Sequence, residues 1–105
     1  EHEPALLLQQ ILDRGGADQD QLISPVRRML EHDDRTGTEF AKSVLMFLAE
    51  AGIIATASEK LKVHPNTLRH RLQRAEELFG VDLEHADMRL AVWLQLRLLT
   101  RRRRL

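Results

Sequence analysis

Residues 60–74 of this chain, "KLKVHPNTLRHRLQR", carry five Lys or Arg side chains and no acidic one. Asn66 and Thr67 lie among these cations, and both can donate and accept hydrogen bonds. In the major groove of DNA, Arg pairs with guanine, Asn or Gln pairs with adenine, and Thr can contact the thymine methyl group. Lys and Arg also bind phosphates whatever the base sequence. This composition indicates nucleic-acid binding.

Two short helices must position these side chains. A capping-box spacing predicts that the first helix starts at Thr56 and runs through Leu61. Pro65 suits the first turn of the second helix, which Gly80 ends. Two helices joined by about three residues form a helix-turn-helix, here at roughly 56–79. Helical spacing predicts the buried face of the second helix to be Leu68, Leu72, Ala75, Leu78 and Phe79.

The rest of the chain also has helical patterns, and no alternating strand pattern appears. The predicted fold class is all-α, a small bundle of five to seven helices containing a Fis-like helix-turn-helix. Ser24 is predicted to cap a helix that begins at Pro25, and Thr38 to cap the next. The other predicted helices are Pro4–Arg14, one or two pieces between Asp18 and Asp33, Glu39–Ala51, and about Asp87–Arg101, whose inner face is Leu90, Ala91, Leu94 and Leu98.

The charge distribution divides the chain. Residues 1–52 carry ten acidic and five basic side chains, whereas residues 53–105 carry six acidic and eleven basic ones. The second half therefore suits a polyanionic partner. We predict a helical lead-in region at 1–52 packed on the DNA-binding unit, a helix-turn-helix domain with a closing helix at 53–100, and a basic tail at 101–105.

Other classes of function find little support in the composition. The absence of cysteine excludes disulfides and thiolate metal sites, and no apolar run is long enough to span a membrane. The histidines have no metal-ligand spacing, the adjacent pairs Asp33-Asp34 and Glu76-Glu77 suit solvated faces, and no phosphate loop or nucleophile motif occurs. We therefore predict no enzyme, no catalytic residue, no metal, no cofactor and no small-molecule ligand. The expected location is the cytoplasm, and a chain beginning at Glu1 is expected to be a piece of a longer protein.

A longer pattern extends beyond the two helices. It consists of Ser58, Leu61, Val63, His64, Asn66, Thr67, Leu68, Arg71 and Leu72, followed by Glu77, Leu78, Gly80, Asp82 and Leu83. This pattern, with the upstream "LEHDDRTGTEF", resembles the C-terminal helix-turn-helix domain of the PucR/CdaR family of bacterial transcriptional regulators over roughly residues 25–99. The resemblance implies a DNA-binding output domain joined to an N-terminal sensory region.

Three positions depart from the family pattern. Ser58 replaces the usual alanine, Pro65 a common arginine, and Ile53 a common asparagine. An arginine at position 65 would be a plausible DNA contact, so the preferred site need not follow that of relatives.

The predicted function is sequence-specific binding of double-stranded DNA, with a recognition helix at about 65–79 in the major groove. Two roles stay open for His64, which could cap this helix or contact phosphate, and Arg71 could brace the turn instead of contacting DNA. The predicted DNA-binding residues are Lys60 and Lys62 on the backbone, Asn66, Thr67, Arg69 and His70 at base edges, and His64, Pro65, Arg71, Gln73 and Arg74.

Two other functions remain open. The basic face could bind an acidic protein partner, or it could bind DNA without sequence preference, as nucleoid proteins do. Since one domain presents one recognition helix, specific binding is expected to need two copies on paired half-sites, and hence a homodimer or higher oligomer.

Overall fold

The chain folds as a bundle of helices in a computed structural model that describes residues 18–103, and the side chains of 25–100. No strand occurs within these limits, which confirms the all-α prediction. The predicted helix Pro4–Arg14 and its Gly15-Gly16 end lie outside the described residues. The helices are α1 (Asp18–Thr36), α2 (Phe40–Ala49), α3 (Ile54–Leu61), α4 (Pro65–Phe79) and α5 (Ala86–Arg103).

A single apolar core joins all five helices. The central helix is α2, which packs against each of the others, whereas α4 packs against α1, α2 and α3 but not α5. The side chains of Met29, Leu68 and Leu96 are fully buried although they come from three different helices. Burying apolar side chains of this size stabilises the fold by about 1.5–3 kcal/mol each. The pair α3–α4 therefore packs against α1 and α2 but not against α5.

Two leucines predicted as core residues are largely exposed. Leu78 is 42% exposed and Leu90 is 46% exposed, so both predictions were wrong. On α4 the buried residues Leu68, Leu72, Ala75 and Phe79 follow spacings of four, three and four, and Leu78 stands about 100° from that line. On α5 the buried face includes Val92 and Leu96, which leaves Leu90 on the outside.

The N-terminal caps of α1 and α2 also differ from prediction. Ser24 does not cap a helix, since α1 begins at Asp18 and continues through Pro25. Thr38 does not cap α2 either; its hydroxyl donates to Oδ1 of Asp33 at 2.5 Å. Asp33 itself accepts the first free N–H groups of α2, from Phe40 at 3.0 Å and from Ala41 at 2.8 Å. Asp33 is thus a half-buried cap supplied by the preceding helix, and not the solvated residue predicted.

The start of α3 departs from the capping box predicted at Thr56. The helix begins at Ile54, and Ile53 precedes it without a side-chain cap. Thr56 lies inside the helix, where its hydroxyl donates to the Ile53 carbonyl at 3.3 Å. The capping box was therefore wrong, because the apolar residue Ile54 already forms part of the first turn.

Arg28 of α1 forms a hydrogen bond with the C-terminal end of α4. Its guanidinium Nη2 donates to the Phe79 carbonyl at 2.7 Å, one of the carbonyls that the end of a helix leaves without a partner. A cation at a helix C-terminus is also stabilised by the helix dipole. Arg28→Ala is expected to lower the free energy of unfolding by about 1 kcal/mol, measured by urea unfolding. Arg27→Ala, on the exposed side of α1, is the control and should have almost no effect.

Asp82 organises the chain between α4 and α5. Its Oδ1 accepts from the backbone N–H of Glu84 at 2.9 Å and of His85 at 3.2 Å, and its Oδ2 lies 2.7 Å from His85 Nδ1. The Glu84 hydrogen bond is the largest cause that lowers the pKa of the Asp82 carboxyl, and the bonds from His85 lower it further.

Because its pKa is lowered in the folded state, Asp82 stabilises the fold at neutral pH, and this stabilisation is lost in acid. Its contribution is complete above the ordinary aspartate pKa of about 3.9, and is lost as the pH falls through the lower value of the folded state. Asp82→Asn is therefore expected to be less stable than the native chain at neutral pH, with the two melting temperatures converging in acid. Thermal unfolding monitored by circular dichroism between about pH 7 and pH 2 would measure this. A difference that stays constant with pH, or an equal convergence for the exposed control Glu59→Gln, would contradict it.

Candidate nucleic-acid interface

The turn between α3 and α4 has the geometry of a helix-turn-helix. Lys62 has a left-handed backbone (φ of 59°), and its N–H donates to the Glu59 carbonyl at 3.1 Å. The next N–H, from Val63, donates to the Ser58 carbonyl at 3.1 Å. Ala57 and Ser58 are buried where the helices meet, and both side chains are small. This turn fixes the direction in which α4 leaves α3.

His64 caps α4. Its Nδ1 accepts the N–H of Asn66 at 3.0 Å, and its carbonyl accepts the N–H of Leu68 at 3.1 Å. Pro65 is the first helical residue and is half-buried. Of the two roles predicted for His64, capping is therefore the one that the structure contains. Since Nδ1 is an acceptor, the ring hydrogen lies on Nε2, and the ring is exposed.

The side of α4 that faces away from the core is polar. The core takes up Leu68, Leu72, Ala75 and Phe79, and these positions account for the inner face of the helix. The exposed residues on α4 up to Arg74 are Asn66, Thr67, Arg69, His70, Gln73 and Arg74. Six of the residues predicted to bind DNA thus lie together on the outer surface of one helix, which we call the recognition face.

Hydrogen bonds already engage several of the cations. Arg69 Nη1 donates to Oδ1 of Asn66 at 2.7 Å, within the recognition face. Lys60 Nζ lies 2.8 Å from a Glu50 carboxylate oxygen, and Arg74 Nη1 lies 3.5 Å from Glu77 Oε1. Lys62 is exposed. The charges on Lys60 and Arg74 are thus partly balanced in the free protein, whereas no carboxylate of the described residues lies within ion-pair distance of Lys62 or Arg69.

Arg71 has a different position from the other arginines. It is half-buried, and its Nη1 donates to the Ser43 hydroxyl of α2 at 3.4 Å. Ser43 is buried and donates in turn to the Glu39 carbonyl at 2.9 Å. Arg71 therefore braces α4 against α2, which is the structural role left open for it, although the contact is to α2 and not to the turn.

The recognition face ends one turn before the helix does. Glu76 is half-buried and Glu77 exposed, so the last turn of α4 is acidic.

Of the three departures from the family pattern, Ser58 is buried, Pro65 is half-buried and Ile53 is 52% exposed at the start of α3. Ile53 directly precedes α3 and Pro65 is the first residue of α4, and neither side chain can donate a hydrogen bond.

Two residues that hold this surface in place escaped the sequence predictions. Asp33 caps α2, and Arg28 bonds the end of α4. Both act on a helix other than their own, and no local motif signals such a contact. In the sequence, nothing distinguishes Asp33 from the polar residues beside it.

No other site competes with this surface among the described residues. No group of three potential metal ligands occurs in this part of the chain. A cavity of about 440 Å³ lies between α1, α2 and Thr100 of α5, with no residue of α4 in its wall. None of the described helices combines the length and the apolar character that a membrane crossing requires.

Comparison with known proteins identifies the domain. The chain is similar to the carbohydrate diacid regulator of Escherichia coli (strain K12), with 36% identity over 95 residues, or 89% of this chain and 24% of that protein. It is also similar to the proline-responsive transcriptional activator PutR of Bacillus subtilis (strain 168), with 29% identity over 70 residues, or 67% of this chain and 17% of that protein. The DNA-binding transcriptional activator AdeR of the same organism is 24% identical over 71 residues, or 68% of this chain and 17% of that protein.

The chain thus spans less than a quarter of the length of these curated relatives. No solved structure matches it. The family model described as the PucR C-terminal helix-turn-helix domain matches residues 40–98, which is more than half of the chain and includes α2 to α4 complete. This chain therefore belongs to the PucR C-terminal helix-turn-helix family of DNA-binding transcription regulator domains.

Proposed function

We propose that this domain binds double-stranded DNA in a sequence-specific manner and is the output module of a bacterial transcription regulator, with α4 in the major groove. The observation that carries the proposal is the recognition face: six polar or cationic side chains are exposed on one helix whose opposite side is in the core. An α-helix of this kind fits the major groove, and its N-terminal residues approach the bases most closely.

The residues divide into two roles in this proposal. Lys60 and Lys62 lie outside the recognition face and offer a charge without a rigid fork of donors, and Arg74 is the last residue of the recognition face. These three cations are therefore assigned to phosphates. Asn66, Thr67, Arg69 and His70 occupy the first half of α4 and read base edges. His64 contributes its exposed ring at the helix start, where a phosphate would also meet the positive end of the helix dipole.

Two copies of the domain are proposed to bind one operator. A single recognition helix contacts few base pairs, and dimeric helix-turn-helix proteins place their helices about 34–36 Å apart on half-sites one turn of DNA apart. Selected sequences should therefore contain a repeated half-site. Analytical ultracentrifugation of the domain with the selected duplex would show whether two copies bind.

The test of the proposal is selection from random duplex DNA on the purified domain, followed by titration of the selected and a scrambled duplex at about 50 and 200 mM salt. Specific binding should be about 1,000-fold or more tighter than binding to the scrambled sequence. It should also weaken steeply with salt, because each phosphate contact releases counterions.

Each alternative outcome has a distinct meaning. Salt-sensitive binding without any sequence preference would favour the nucleoid-type function. Failure to bind any duplex at the lower salt concentration would overturn the proposal and leave the basic surface to be explained by an acidic protein partner.

A further inference from the structure

The pair Asn66–Arg69 carries information about which base the domain prefers. We infer that these two side chains act as one unit that presents mainly hydrogen-bond donors to DNA, and that the base opposite them is guanine and not adenine. The inference rests on the proposed function and adds to it the chemistry of one operator position.

The geometry of the pair fixes the orientation of the Asn66 amide. Arg69 Nη1 lies 2.7 Å from Asn66 Oδ1, and a guanidinium has donors but no acceptor. The amide oxygen must therefore face Arg69, and the Nδ2 hydrogens point elsewhere. Both side chains are exposed, so nothing in the described core forces this arrangement.

An amide held in this way is poorly suited to adenine. The usual pairing of Asn with adenine needs the amide oxygen to accept from N6 while the amide nitrogen donates to N7. Here the oxygen already accepts from a charged group, so the adenine N6 amino group would have to share it with the guanidinium. The oxygen keeps a second lone pair, but an N6 hydrogen bonded to it would lie beside the positively charged guanidinium, and the two positive groups repel each other.

Guanine lacks this conflict, because it presents only acceptors, N7 and O6, at the same edge. The free Nδ2 hydrogens of Asn66 and the remaining N–H groups of Arg69 can serve both. The pair also holds the two side chains together before DNA arrives, which reduces the entropy lost on binding.

The groups around the pair add donors and few acceptors. His64 Nδ1 is occupied by the Asn66 N–H, so the exposed ring offers its Nε2 hydrogen. Lys62 is a cation on the adjoining turn. The carboxylates of α4, Glu76 and Glu77, stand in the last turn, about 15 Å along the helix from Asn66. In the described part of the chain, no carboxylate lies within ion-pair distance of Arg69 or Lys62.

Selection from random duplexes with four proteins tests the inference: the native chain, Asn66→Ala, Arg69→Ala and the control Arg97→Ala. Arg97 is exposed on α5, a helix that does not pack on α4, so the control removes the same charge elsewhere. The position read by the pair is the one whose enrichment Asn66→Ala loses. The native chain should select guanine there by roughly tenfold over adenine.

Arg69→Ala supplies the decisive result. Removing the guanidinium frees Asn66 Oδ1, so the same position should shift towards adenine by roughly tenfold, while Arg97→Ala keeps guanine. Adenine at that position in the native selection, an unchanged base in Arg69→Ala, or no position that depends on Asn66 would overturn the inference and leave sequence-specific binding intact. Absence of binding, or binding without any preference, would overturn the proposed function and this inference with it.

Discussion

Met29→Ala is expected to remove about 2–5 kcal/mol from the free energy of unfolding. Met29 is 0% exposed and belongs to α1, yet its side chain is part of the core cluster that includes Leu68 of the recognition helix. Truncation removes three heavy atoms' worth of buried contact and leaves a cavity that the surrounding helices fill only in part. Against a typical total stability of about 5–15 kcal/mol, this is a large loss.

Urea unfolding followed by circular dichroism would measure the effect, with Arg27→Ala as the control. Arg27 is exposed on the same helix, so its truncation should change stability by less than about 0.5 kcal/mol. A cooperative transition that moves as a whole in Met29→Ala would show that α1 and the helix-turn-helix unfold together. A second transition at the native midpoint would contradict this, because the helix-turn-helix would then be stable without α1.

That experiment also bears on the predicted domain boundary between residues 52 and 53, which stays a prediction. The boundary was placed where the charge balance changes sign. In the fold, α2 lies before this point and packs against every other helix, and the matched family region also crosses it, from 40 to 98. The charge distribution indicates which surface suits DNA, whereas the common hydrophobic core determines which helices unfold together.

The fold class and the helix-turn-helix could be predicted because their signals are local. Leu68, Leu72 and Ala75 repeat at helical spacing, Pro65 stands at the helix start and Gly80 at its end. Each of these signals involves residues within four positions of one another or a backbone preference of one residue. The same reasoning failed at Leu78, since a leucine beside the buried line is indistinguishable in composition from one on it.

Contacts between helices could not be predicted in this way. Asp33 caps a helix that starts seven residues later, and Arg28 bonds a carbonyl 51 positions along the chain. Arg71 reaches Ser43, 28 positions away. Such contacts depend on how the helices pack, and a polar residue looks the same in the sequence whether it is solvated or bonded to another helix. Six of the eleven candidate DNA-binding residues lie together on one helix surface, as helical spacing implies, but their mutual hydrogen bonds could not be read from the sequence.

Replacing Lys60, Lys62 and Arg74 together with Gln is expected to weaken binding to every duplex alike, by roughly 500-fold at 0.1 M salt. Lys60 and Lys62 lie outside the recognition face and Arg74 is its last residue, and all three are assigned to phosphates in the proposed function. Each phosphate contact contributes about 0.9 to the slope of log K against log salt, so the slope should fall by about 2.7. The preferred sequence should not change, because phosphate contacts carry no direct information about the bases.

Fluorescence anisotropy titrations over a series of salt concentrations, on the selected and the scrambled duplex, would measure both quantities. The matched control is Arg27→Gln/Lys42→Gln/Arg97→Gln, which removes the same number of exposed cations from α1, α2 and α5. An equal loss in this control would mean that the total charge of the chain, and not the position of these three side chains, governs the affinity. Single replacement of Lys60 or Arg74 is expected to change the slope less than replacement of Lys62, because Glu50 and Glu77 partly neutralise these two cations in the free protein. Lys62 has no such carboxylate beside it among the described residues, so its single replacement should account for the largest share of the change in slope.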